Sequence, residues 1–346
     1  MSNLPAEHLR VRDIGEQGLL ERLQRFCPSE VIGDDAAVLV TESEKSLVVT
    51  TDMLVDGVHF SDVTTTPEDA GWRAAAANLS DLAAMGAFPL GITVGLGLPG
   101  DLSVEWVERL YQGMTECLQK YNVPIVGGDI VRSPITTLSI TAFGQANPDF
   151  IIRRSTAQIG DAIVVTGIHG ASRGGLELLL NPEIGQNLKS EEKTALITAH
   201  QRPNPRLDVI PLLWEIIESQ SKIQNLKSKI AGMDSSDGLA DAVLQICRAS
   251  KVGAILEASK IPLPSTFNHW LTVQRSLNYA LYGGEDFELV LCLPPQTALE
   301  LVKKLGAGAA IVGKITPGST VILQHENAKI PDQVLTLSQG FQHFSH

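Results

Sequence analysis

Hydrophobic and polar positions along the chain fall into short runs of different period. Residues 46–52 (SLVVTTD) are a β-rich run that ends in an acid. Residues 136–145 (TTLSITAFGQ) alternate polar and apolar side chains, the period-two signature of a half-exposed strand. PIVGGDI (124–130) reads as a short buried strand stopping at a glycine turn, and GDAIVVTG (160–167) as a buried strand between glycines; ELVLCL (288–293) and AAIV (309–312) read as further strands. Helical stretches lie between them. GWRAAAANLSDLAAMGA (71–87) is alanine-rich, predicts a closely packed helix, and is closed by Gly86 and Pro89. A second helix follows the cap-like Asp101-Leu102-Ser103 and runs to about Tyr121. The stretch 173–230 is polar and helix-prone, broken by RPNPRLD at 202–208. Leu239, Val243 and Ile246 recur at helical spacing within 238–250, with Asp234 and Ser235 placed to cap that helix. Asn147-Pro148-Asp149 interrupts the pattern and marks a boundary, giving domains 1–147 and 148–346. Strands interleaved with helices on both sides predict two α/β lobes.

Composition narrows the class. Apolar residues make up 44% and charged residues 19%, enough for a sizeable core and unlike a disordered chain. Lys and Arg number 27 against 39 Asp and Glu, a net charge of −12 that repels a phosphate backbone; nucleic acid is not an expected partner. Cys27, Cys117, Cys247 and Cys292 form no CxxC pair, which fits a reducing cytoplasm better than a zinc site or disulfide framework. The first residues lack the apolar run of a signal peptide, and the longest apolar stretch, Pro89–Pro99, is too short to span a bilayer. A cytoplasmic protein without membrane contact is expected.

The placement of the acids is the most informative feature. Asp34 and Asp35 follow Val31-Ile32-Gly33, Asp52 ends a strand, and Asp129 follows two glycines. Asp234 and Asp237 flank two serines, Glu285 and Asp286 follow Gly283-Gly284, and Asp81 sits inside the alanine-rich helix, a costly place for a charge. A single Gly-Asp is most often a turn. Six such sites at the ends of apolar elements call for a common cause. Crowded carboxylates raise one another's pKa unless cations neutralise them, and hard oxygen ligands without Cys or clustered His point to Mg²⁺. An acidic pocket accepts phosphates through bridging Mg²⁺, and the neighbouring glycines let backbone N–H groups approach phosphate oxygens. Neither GxxxxGK[ST] nor a strand–GxGxxG–helix occurs, so the expectation is a Mg²⁺-dependent nucleotide or phosphate-ester enzyme with an uncommon phosphate cradle.

IGDDAAVL (32–39), TTDMLVDGVHF (50–60), NLSDLAAMGA (78–87), VGGDIVR (126–132), DSSDGL (234–239) and GGEDFEL (283–289) resemble, in order, the motifs of the thiamine-monophosphate kinase family. RPNPRLD (202–208) and GFQHF (340–344) resemble it too. The resemblance implies an aminoimidazole ribonucleotide synthetase-like α/β fold, whose N-terminal domain binds ATP and Mg²⁺ and forms a homodimer and whose C-terminal domain completes the active site. It implies direct transfer of a phosphoryl group from ATP to thiamine monophosphate. By motif position, Asp35, Thr50, Thr51, Asp52, Asp81, Asp129, Asp234 and Asp237 would hold several Mg²⁺ ions. Tyr111, Gly128, Asp129, Arg154 and Ser236 would contact ATP, with Arg154 stabilising the transferring phosphate. His59, Glu285 and Phe341 would face the thiamine. Asp52, Asp81, Asp129, Asp237 and Arg154 form the expected catalytic set. One departure stands out: GASRGG (170–175) carries an arginine where the family pattern has small residues.

The residue types also admit other readings. Tyr111 on its helix fits packing, His59 fits an ordinary packed histidine, and Arg153-Arg154 fits a solvated pair. The competing activities are an ATP-dependent synthetase or ligase of the same superfamily acting on another small phosphorylated substrate, a nucleotide-binding protein without turnover, and a metal-dependent phosphatase.

Overall fold

A computed structural model describes residues 9–29, 37–224, 230–326 and 330–337. The chain divides into two compact units, one of residues up to Leu82 with Phe88–Gln145, the other of Ala83–Ala87 with Ala146 onward.

The first unit contains α1 (Val11–Leu23), β1 (Ser46–Val55), α2 (Pro67–Ala84), β2 (Phe88–Leu98), α3 (Val104–Gln119), β3 (Ile125–Arg132) and β4 (Thr137–Ala146). Its sheet runs β1-β4-β2-β3, with β2 parallel to β3 and antiparallel to β4. The alanine-rich α2 packs backbone to backbone on α3. A Cβ on Gly71 would overlap the Leu110 carbonyl oxygen, and one on Gly113 would overlap that of Glu68. Ala74, Ala75, Ala76 and Leu79 are fully buried as a result. Ser103 caps α3, accepting the Trp106 N–H at 3.1 Å, as its sequence predicts. Along β1, exposure alternates residue by residue. Thr50, Asp52 and Leu54 lie on the more covered face, and Leu47, Val49, Thr51 and Met53 on the open one.

The second unit contains β5 (Ala162–Val165), α4 (Ala171–Leu180), α5 (Ser190–Gln201), α6 (Val209–Gln224), β6 (Ala231–Asp234), α7 (Leu239–Ser250), β7 (Gly253–Glu257), α8 (Phe267–Trp270), α9 (Val273–Tyr282), β8 (Leu289–Leu293), α10 (Pro295–Leu305), β9 (Ala310–Thr316), β10 (Val321–Gln324) and β11 (Gln333–Val334). The sheet order is β11-β10-β7-β9-β5-β8-β6. β5, β6 and β8 are buried along their whole length. Leu239, Val243 and Ile246 of α7 pack into the same core as Ile163, Val290 and Cys292.

Three local expectations are overturned. β1 does not end at Asp52 but runs on to Val55. β3 does not stop at its glycines, because Gly127 and Gly128 stay paired with Thr93 and Val94 of β2 and the strand continues to Arg132. Neither Asp234 nor Ser235 caps α7: its N-cap is Gly238, at φ 103°, without a side-chain cap. Asp234 closes β6, and Ser236 Oγ donates to Asp234 Oδ1 at 3.0 Å. The left-handed glycine turns the chain before the helix begins, which leaves the Asp234 and Ser236 side chains to pair with each other.

Candidate active site

In the first unit, the Thr50 hydroxyl of β1 donates to the Asp81 carboxylate of α2. Asp52 lies two residues on and therefore on the same face of the strand. Thr51 points the other way: it is exposed, with its hydroxyl 2.6 Å from that of Thr141 on β4. The structure thus groups Thr50, Asp52 and Asp81 on one side of β1 and sets Thr51 apart. Asp81 is half-buried within a turn of helix whose Asn78 and Ser80 are fully buried. His59 follows β1 in a tight turn, accepting the Val55 N–H on Nδ1 at 3.1 Å, so a neutral ring carries its proton on Nε2.

Asp129 stands exposed on β3, opposite Gly95 of β2, so no neighbouring side chain covers it. It edges a groove of about 340 Å³ on the sheet, lined also by Gly97, Val131, Thr137 and Ser139. Gly128 is exposed, and a Cβ there would overlap the Val94 carbonyl oxygen; the approach of β2 already demands this glycine. Tyr111 is 5% exposed, its ring 5.5 Å from that of Phe26. Burial pushes its phenol up, the surroundings of a packing residue.

In the second unit, the 234–238 turn and the 283–288 segment are laced together. The Ser235 N–H donates to the Glu288 carbonyl at 2.8 Å, and the Glu285 N–H to the Ser236 carbonyl at 2.7 Å. Gly284, Glu285 and Phe287 have φ of 69°, 59° and 52°. For Glu285 and Phe287 this left-handed backbone is strained, and it persists where neighbours over-determine it. Those neighbours are the other acids of the segment. Asp286 accepts the N–H groups of Gly170 at 2.6 Å and Ser172 at 2.9 Å, capping α4 from outside. Burial pushes its carboxyl up and the two N–H groups pull it back, leaving it at about 7. Glu288 accepts from Arg206 at 2.5 Å and from Thr166 at 2.5 Å, while Arg206 also pairs with Asp208 at 3.0 Å. RPNPRLD and GGEDFEL are therefore joined by an ion pair whose side chains are only 13% and 15% exposed. Arg173, the departure in GASRGG, donates to Glu177 at 2.5 Å and lies 5.9 Å from the Tyr279 ring centroid.

Asp234 is 3% exposed, whereas Asp237 and Arg154 are exposed. All three act on Asp241 in the first turn of α7. Burial and the nearby Asp237 push its carboxyl up and Arg154 pulls it down. Asp241 Oδ2 is buried with no hydrogen-bond partner. A carboxylate repelled by acids and left with an orphaned oxygen suits a hard cation, so this donor chemistry fits Mg²⁺. Among the described residues, no three His, Cys, Asp or Glu side chains already converge on one point. Asp35 and Phe341 lie outside the described residues. Sequence reasoning missed Ser172, Arg206 and Asp241 as parts of this arrangement, and it gave Asp286 no role of its own; for Arg206 the signal was there, in the RPNPRLD motif.

Two family models match: AIR synthase related protein, N-terminal domain, over residues 33–146, and the corresponding C-terminal domain over residues 158–326. The chain is 52% identical over 333 residues to the thiamine-monophosphate kinase of Synechococcus elongatus, covering 96% of this chain and 97% of that one. The crystal structure of thiamine-monophosphate kinase from Stenotrophomonas maltophilia is similar with a TM-score of 0.75 at 32% identity, over 90% of this chain and 96% of that one. AaThiL complexed with AMPPCP and TMP is similar with a TM-score of 0.68 at 31% identity, over 94% and 98%. With both domains matched and near-complete relatives this similar, the chain belongs to the thiamine-monophosphate kinase family of AIR synthase related proteins.

Proposed function

We infer that this protein phosphorylates thiamine monophosphate to thiamine diphosphate at the expense of ATP. The observation that carries the reading is the 52% identity over nearly the whole of a thiamine-monophosphate kinase, joined to a similar structure complexed with AMPPCP and TMP. A phosphate oxygen of thiamine monophosphate bonds to the γ-phosphorus as the bond to the bridging oxygen breaks, and ADP leaves. Such a transfer needs positioning and charge neutralisation more than a covalent nucleophile.

Asp52, Asp81, Asp129, Asp234 and Asp237, with Thr50 and Asp35, are the proposed Mg²⁺ ligands; Thr51, turned to the opposite face of β1 and onto Thr141, is left out of the set. Bound Mg²⁺ supplies the positive charge that lets two anionic substrates meet. Gly128, Asp129, Ser236 and Arg154 are assigned to ATP; Tyr111, buried against Phe26, is left to packing and not to the nucleotide. Arg154, exposed on a 3-10 turn, presents a guanidinium suited to phosphate oxygens. His59, Glu285 and Phe341 are assigned to the thiamine, whose cationic thiazolium favours an acidic, aromatic surrounding. The functional division of the chain is placed between residues 147 and 148. The open face of the first unit's sheet leaves Leu47, Val49 and Met53 more than half exposed on an edge strand, which supports a homodimer. No helix among the described residues is long and apolar enough to cross a membrane. Four cysteines outside any disulfide and the use of ATP support a cytoplasmic location.

The test is chromatographic. Purified protein with MgATP and thiamine monophosphate should yield thiamine diphosphate and ADP in equal amounts, with none in EDTA and none from unphosphorylated thiamine. ATP consumed without thiamine diphosphate would redirect the assignment to the synthetase relatives.

A further inference from the structure

The Glu285 carboxylate has a buried neighbour that the assigned roles do not use. His200 of α5 is 2% exposed, and its Nδ1 lies 3.6 Å from Glu285 Oε2. The same Nδ1 is 3.1 Å from Ser172 Oγ in the first turn of α4, and Ser172 is 1% exposed. Ser172 is tied to the adjoining residue of the loop as well, since its N–H donates to Asp286 Oδ1 at 2.9 Å. Ser172, His200 and the Glu285-Asp286 pair thus close a ring of contacts through α4, α5 and the loop before β8.

The frame of this ring is set by the backbone. A Cβ on Gly175 would overlap the Leu196 carbonyl oxygen and lie 3.0 Å from His200 Cβ, so α4 and α5 touch where the histidine emerges. The Glu285 backbone is left-handed and its N–H is bound to Ser236. Its side chain, 33% exposed, reaches outward past the imidazole. Both contacts fall on one ring nitrogen, whereas a Ser–His–acid nucleophile relay uses both, so the arrangement does not activate Ser172.

We propose that His200, held by Ser172, is a positioning residue that directs the Glu285 carboxylate toward the thiazolium of thiamine monophosphate. The inference rests on the assignment of Glu285 to the thiamine. A glutamate already held in direction loses less side-chain freedom when substrate binds, so the benefit falls on the thiamine substrate and not on ATP.

Steady-state kinetics of five variants test it: His200→Leu, His200→Asn, Ser172→Ala, Glu285→Gln and the double variant of His200→Leu with Glu285→Gln. His200→Leu should raise KM for thiamine monophosphate about tenfold while KM for ATP stays within about twofold. His200→Asn, whose amide nitrogen sits near the position of Nδ1, should restore most of the loss. Ser172→Ala keeps the N–H to Asp286 and should raise the same KM about threefold, which carries the test if the leucine variant does not fold. The double variant should be no worse than Glu285→Gln alone. A matching rise in both KM values, an asparagine variant no better than leucine, or strict additivity would overturn the role of His200. An unchanged KM for thiamine monophosphate in Glu285→Gln would overturn the placement of Glu285 itself and the inference with it.

Discussion

Asp129 and Asp286 both follow a pair of glycines closely in sequence, yet their surroundings differ. Asp129 stands exposed on β3, beside a strand that offers only Gly95. Asp286 is drawn against the start of α4, where two N–H groups hold its carboxylate. Glu288 goes further, to a largely buried pairing with Arg206. In the first unit Asp129 meets open sheet, and Asp81 accepts the hydroxyl of Thr50. In the second unit the acids of GGEDFEL meet cations and helix N–H groups. The difference teaches that an acid after glycines is one pattern with two uses. What decides between them is whether the fold brings a positive partner to it.

The largest expected effect lies on the first side of that comparison. Asp81→Asn keeps the shape and the hydrogen bond to Thr50 but removes the charge. It should lower kcat about a thousandfold or more, a loss of roughly 4 kcal/mol in the transition state, while the circular dichroism spectrum and melting temperature stay close to the parent's. A near-normal rate would remove Asp81 from the ligand set and break the contrast.

The second side predicts the opposite signature. Arg206→Met leaves Glu288 buried without its cation, at a cost of about 3 kcal/mol to the second unit. Denaturant unfolding should show this directly, and Glu288→Gln combined with Arg206→Met should recover part of it, because the stranded charge is gone. If Arg206→Met lost activity at parental stability, Arg206 would belong with the ligands and not with the frame.

How much of this could be read from the chain follows from the same physics. The α2 helix was legible because alanines that pack backbone to backbone leave a compositional mark. β4 was legible because its faces alternate between core and solvent. The stretches forming α1, α9, α10, β7 and β10 carried weaker marks; α1 even breaks at Gly15, with φ of 64°. Cap signals misled at Asp234 and Ser235, since a left-handed Gly238 intervenes. At the site, the motifs holding Thr50 and Asp81 fall on neighbouring elements, where the two side chains meet, although Asp52 lies inside β1 and not at its end. They could not reveal that Thr51 faces away, except through the strand period. Nor could they reveal that Arg206 and Glu288, 82 residues apart, form one pair. Long-range pairing is a property of topology, and no local period encodes it.

The finest test separates two opposed titrations at the start of α4. Asp286, ordinarily near 3.8, is pushed to about 7, mainly by burial. Between those values the folded protein keeps a proton that the unfolded chain has lost, so this group's contribution to stability falls as pH rises. His169 is fully buried, with Nδ1 3.1 Å from the Gly167 carbonyl, and burial lowers it from 6.5 to about 4. There the unfolded chain takes up a proton first, so its contribution falls as pH drops. From pH 6.5 to 4.5 each amounts to about 2 kcal/mol, in opposite directions, and the two nearly cancel in the parent. Asp286→Asn should therefore lose about 2 kcal/mol relative to the parent across that interval, and His169→Gln should gain a similar amount. Urea unfolding at several pH values reads both differences. Curves that run parallel to the parent's would mean that Asp286 stays ionised under its two N–H donors, and the contrast between the two units would lose its electrostatic basis.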